Sequence, residues 1–141
     1  TNTTTYCLLT TGALYYWKNW DGRNPLPKLN PIQIPNLPFI RSISSGTTHS
    51  ACIDIHGNLY VWGVIMSPDI INQPNTPLLI GRSDIHIQYT HVKCGSDSLV
   101  VLDNENSLHC WGKNTCNKLS DSNTTVFHEL TKMDNENPLD F

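Results

Sequence analysis

Three tryptophans, Trp17, Trp62 and Trp111, stand 45 and then 49 residues apart, and each closes a copy of one short pattern. Five residues before each lies Gly12, Gly57 or Asn106, residue types that adopt positive φ at low cost. Three before comes Leu14, Leu59 or Leu108, and ten before comes Cys7, Cys52 or Val101, all apolar. Upstream, Ser45-Gly46 and Cys94-Gly95 match at the same offset of 49. A period of this size marks a solenoid, a propeller or an array. The chain is therefore expected to fold as repeated copies of one unit.

The unit reads as a β-hairpin. Ala51, Ile53 and Ile55 alternate with smaller or polar residues, His56-Gly57-Asn58 supplies the turn, and Leu59, Val61 and Trp62-Gly63 return. The hairpins are expected near residues 5–18, 50–63 and 98–112. Pro25, Pro27, Pro31, Pro35 and Pro38 make residues 19–38 a connection, with Ile32, Ile34 and Leu37 spaced to drop onto a neighbouring surface. Pro68, Pro74 and Pro77 do the same for residues 64–77. Strands are expected at 39–43, and at 78–80 and 91–94, these last two assigned to the third unit. Another is expected at 126–130, and a polar tail at 133–141. No stretch shows sustained 3.6-residue periodicity, so the expected class is all-β by radial repetition, one partial propeller over residues 1–141.

Composition narrows the function. Nine Lys and Arg against twelve Asp and Glu give a net charge of −3, which argues against nucleic acid as partner because phosphate binding needs a basic face. No apolar run approaches the ~20 residues of a membrane span. Five cysteines, an odd number without C-x-x-C spacing, fit a reducing, intracellular compartment, cytoplasmic or nuclear. Two Asn-x-Thr triplets, at Asn2 and Asn123, leave secretion open.

Val92-Lys93-Cys94-Gly95, Leu99-Val100-Val101-Leu102 and Leu108-His109-Cys110-Trp111-Gly112-Lys113-Asn114 together resemble the repeat of the regulator of chromosome condensation family. Gly46-Thr47-Thr48-His49 is similar to its G-x-x-H, and Trp62-Gly63 to its W-G, whereas the first copy has Trp17-Lys18 there. The resemblance implies four-stranded blades, each repeat straddling two. Three copies, the first degenerate, fall short of the roughly four to eight blades of closed propellers. The expectation is a segment of a longer protein, a ring completed by another chain or copy, or a short open array.

The resemblance implies structural roles for Gly12, Trp17, Gly46, His49, Gly57, Trp62, Gly63, Gly95, Asn106, Trp111 and Gly112: the tryptophans pack between blades and His49 bridges adjacent blade backbones. Asp54, Asp84, Asp97 and Asp103 fall at turns and strand ends, without paired-carboxylate spacing. No P-loop, nucleophile elbow or zinc motif occurs, and no cofactor or metal is expected. Function is then expected in the loops, with Trp20, Ile65 and Met66 as candidate partner contacts. The expected role is a non-enzymatic protein-interaction scaffold. One alternative, from the resemblance, is guanine-nucleotide exchange on a Ran-type small GTPase. Another is a secreted or injected bacterial protein that imitates or inhibits a host partner.

Overall fold

The computed structural model describes residues 4–19, 30–64, 70–71, 76–81, 86–113 and 126–133. All regular structure among them is β, in three antiparallel sheets. The first sheet holds β1 (Thr4–Leu8), β2 (Leu14–Lys18) and the two-residue β3 (Ile32–Gln33), in that order. The second holds β4 (Ile40–Ser45), β5 (His49–Asp54) and β6 (Leu59–Val64), with β7 (Ile70–Ile71) and β8 (Leu78–Gly81) dividing the outer edge of β6. The third runs β9 (Tyr89–Cys94), β10 (Ser98–Asp103), β11 (Leu108–Lys113) and β12 (Val126–Lys132) from one edge to the other. These are blades of a propeller whose ring is not closed.

Two local expectations are corrected. The connection over 19–38 contributes β3, which pairs Ile32 and Gln33 with Tyr16 and Tyr15. Ile34 and Leu37 pack into the core, but Ile32, on the outermost strand, is 48% exposed. Residues 78–80 belong to the second blade, because β7 covers only Gly63 and Val64 and leaves Leu59–Val61 to pair with β8.

The three hairpins close alike. Leu9, Asp54 and Asp103 each donate a backbone N–H to the carbonyl four residues on, at 2.9–3.1 Å, and accept one from the residue three on. That residue is Gly12, Gly57 or Asn106, with φ of +81°, +83° and +61°. Glycine serves the first two turns for a second reason. A Cβ on Gly12 would lie 2.3 Å from the Phe39 ring, and one on Gly57 would lie 2.7 Å from Gln88 Cβ, since the chain entering the next blade packs there.

Period-2 alternation sends each blade's side chains to two faces. Tyr6, Leu8, Leu14 and Tyr16 of the first blade meet Cys52, Tyr60 and Trp62 of the second. Ala51, Ile53, Leu59 and Val61 of the second meet Leu99, Val101 and Trp111 of the third. Every blade thus carries a forward and a backward face, and the core is the pair of seams between them.

Candidate functional site

The polar groups concentrate at the seam between the second and third blades. Gly46 lies so close to the third blade that a Cβ there would sit 2.0 Å from the Gly95 carbonyl oxygen. Two residues on, the Thr47 hydroxyl meets that of Ser96 at 3.1 Å. His49, fully buried, places Nε2 3.0 Å from the Ser98 carbonyl oxygen, so Nε2–H donates and Nδ1 is left without a partner. The Cys94 N–H donates to the Ser44 hydroxyl at 2.9 Å, and its thiol faces the Ser44 carbonyl. At the far end Arg41 donates to the carbonyls of Tyr89 and Thr90 at 3.0 and 3.2 Å. Arg41 is the extra residue of a bulge between β4 and β5, which turns it out of the ladder. Thr90 occupies the matching bulge between β9 and β10.

Burial holds His49 below its ordinary value of 6.5, against the opposing pull of the Ser98 carbonyl and Asp97. The unfolded chain therefore binds a proton at His49 more readily than the folded one, so stability is full above pH 6.5 and declines as pH falls below it. The expected result is a urea midpoint that drops from pH 8 to pH 5.5, with a shallower drop in His49→Gln. Equal slopes for the two proteins would refute the assignment.

The seam between the first and second blades uses a different latch. Trp62 donates from Nε1 to the Tyr6 hydroxyl at 3.1 Å, and the two rings meet edge-on at 5.6 Å. At the matching place in the second blade stands Ala51, which has no hydroxyl, and the buried Nε1 of Trp111 has no partner. Trp17 is half-buried on the backward face of the first blade, beside Thr5, Cys7 and Tyr15. Gly63 and Gly112 take φ of +96° and +109° against the backbone at Thr48 and Asp97.

The carboxylates Asp54 and Asp103 belong to the turns. Asp54 Oδ1 accepts the N–H groups of His56 and Asn58, and Asp103 Oδ1 those of Glu105 and Ser107, all at 2.9 Å. The other oxygen of Asp54 accepts from the Asn58 side chain at 2.8 Å, and that of Asp103 from His109 Nε2 at 2.9 Å. Burial pushes the Asp103 carboxyl up, but the hydrogen bonds from His109, Ser107 and Glu105 outweigh it and hold it below the usual range. This His–Asp pair went unnoticed in the sequence, where the repeat alignment sets Tyr60 and His109 in one column beside the Asp54/Asp103 column. Both acceptor oxygens of Asp103 are thereby committed to closing a hairpin.

Cys7, Cys52, Cys94 and Cys110 are free thiols. Burial pushes the Cys52, Cys94 and Cys110 thiols up, the last two to about 12 and about 11, so none is a ready nucleophile. No group of His, Cys, Asp and Glu able to hold a metal occurs among the described residues. Nor, among them, is any helix long and apolar enough to cross a membrane. The candidate contacts Trp20, Ile65 and Met66, together with Asp84, lie outside the described residues, as does Cys116.

Residues 89–118, spanning β9 to β11, match the family model described as regulator of chromosome condensation (RCC1) repeat. A human relative, RCC1-like G exchanging factor-like protein, is 25% identical over 121 residues, which is 73% of this chain and 26% of that protein. Human WBSCR16 superposes with a TM-score of 0.72 at 21% identity, over 92% of this chain and 37% of its own. Yeast RCC1 (Prp20), solved bound to Kap60, gives 0.71 at 15% identity, over 94% and 33%. Prp20p from Saccharomyces cerevisiae, described with its binding properties to Gsp1p and histones, gives 0.68 at 15%, over 94% and 34%. The chain thus spans between about a quarter and somewhat over a third of the relatives it matches. It carries a regulator of chromosome condensation repeat at residues 89–118 and has the fold of propellers of that family.

Proposed function

We propose that this chain is a non-enzymatic protein-interaction module, one propeller segment over residues 1–141 that acts within a longer protein or a multi-protein assembly. The observation that carries the reading is where the buried polar groups go. His49 serves a seam between blades, and Asp54, Asp103 and His109 serve turns. What remains for function is the surface of a scaffold and its loops. The residues 64–77 and 19–38 are the proposed contact loops. Half-buried Thr5, Cys7, Tyr15 and Trp17 support a further neighbour on the backward face of the first blade, since Cys52 and Trp62 in the same columns are buried against one.

The test is reconstitution. A partner captured by the immobilised chain, once purified, should form a complex of defined mass by light scattering. That complex should be lost when residues 64–77 are replaced by a Gly/Ser linker. Unchanged binding after that replacement and a matching one at 19–38 would count against the reading.

A second reading, exchange on a small GTPase, is favoured by the names of two relatives, an exchanging-factor-like protein and a Gsp1p binder. It predicts faster release of GDP from at least one member of a small-GTPase panel. The scaffold reading expects binding without that acceleration.

A further inference from the structure

The repeat supplies its own control for reading the surface at the hairpin end of the sheets. Leu9, Asp54 and Asp103 occupy one column, and in the second and third blades the aspartate accepts two backbone N–H groups of its turn. The first turn has the same backbone bonds, Leu9 N–H to the Ala13 carbonyl and Gly12 N–H to that of Leu9. It could use the same carboxylate, yet it carries a leucine that is 42% exposed. Phe39, 44% exposed, matches Gln88 of the third blade, and Ile55, 51% exposed, matches Asn104. The fold therefore accepts polar residues at all three columns.

These three residues are brought side by side by the turns they flank. The Phe39 ring covers Gly12 of the Leu9 turn, and the Ile55 N–H donates to the Phe39 carbonyl at 3.0 Å. The result is an apolar row across the first two blades that stops at the third, where Gln88 and Asn104 are exposed polar residues. Local rules are broken where a surface serves something besides the fold, and contiguous exposed apolar groups mark interaction sites. Residues 9–13, 37–41 and 55–58 contain no carboxylate, and their one formal charge is exposed Arg41, held by two carbonyls and no acid.

We propose that Leu9, Phe39 and Ile55 form a docking site for a protein segment that presents apolar side chains beside a carboxylate, the carboxylate lying toward Arg41. This rests on the interaction-module reading but uses a surface apart from residues 64–77. The probe is a random-peptide library displayed on phage, selected against the immobilised full chain. The selected peptides should share two or more apolar residues with a neighbouring Asp or Glu. A synthetic peptide of that consensus should bind at least about tenfold more weakly to the variant Leu9→Asp/Phe39→Gln/Ile55→Asn, a loss well within reach of exposed apolar anchors. Arg41→Gln should weaken it as well.

The triple variant installs residues that the second or third blade already tolerates, and Leu9→Asp alone should raise the melting temperature, so weaker binding cannot be ascribed to unfolding. An absence of enriched peptides would overturn the proposal. So would peptides without an acidic residue, or affinities that the triple variant leaves within about twofold. Replacement of 64–77 should leave the peptides bound, so failure of this site and failure of the loop assignment are read separately.

Discussion

Gly63→Ala and Gly112→Ala are each expected to cost roughly 2–6 kcal/mol, from backbone strain of ~1–3 and overpacking of ~1–3. The φ values of +96° and +109° lie beyond the left-handed region that L residues tolerate. A Cβ on Gly63 would sit 2.4 Å from the Thr48 carbonyl oxygen, and one on Gly112 2.2 Å from that of Asp97. Both obstacles are backbone, so neither can swing aside. Against a typical total of about 5–15 kcal/mol, either substitution is enough to unfold a marginal chain. Gly95→Ala is the control, since its Cβ would meet the movable Ser98 hydroxyl at 3.2 Å and the Ser98 carbonyl oxygen only at an ordinary 3.6 Å. Urea unfolding of the three variants decides the matter. Gly63→Ala within about 1 kcal/mol of the parent would refute the role assigned to the Trp-Gly pair.

Trp62→Ala should cost about 3–5 kcal/mol, the range for emptying a buried aromatic site. Trp62 is 1% exposed at the centre of the first seam, packed on Tyr6 and bonded to its hydroxyl. Trp17→Ala should cost less than half as much, because Trp17 is half-buried on a face that no other described blade covers. Trp62→Phe keeps most of the ring and should lose only about 1 kcal/mol for the hydrogen bond. Equal losses at Trp17 and Trp62 would mean that the first blade's backward face is packed as tightly as the second's.

The tryptophan spacing and the glycine or asparagine five residues earlier were enough to read three hairpins and an all-β repeat, because turn geometry and side-chain alternation are local properties. The two-residue β3 and the split outer edge of the second blade were not legible. Both depend on which stretch of β2 or β6 a distant segment reaches, and proline-rich connections carry no periodicity to reveal it. His109 escaped for another reason. Its partner Asp103 lies at a turn, where local hydrogen bonding already accounts for an aspartate, and only the column shared with Tyr60 marks the substitution. Leu9 was legible as an apolar residue near a turn. Its meaning required knowing that Asp54 and Asp103 fill the same column with a cap.

The two unlike faces of each blade give the stack a polarity. Each blade carries its tryptophan on the backward side and none on the forward side, so the two faces are unlike and neither is built to mate with itself. Contact between copies through these faces is therefore head to tail, and a two-fold dimer that mates a face with itself is disfavoured. A head-to-tail contact closes into a ring if its rotation per blade divides the circle. If it does not, the same contact propagates as a filament. A partner that completed this array would therefore have to satisfy an angular condition as well as a chemical one.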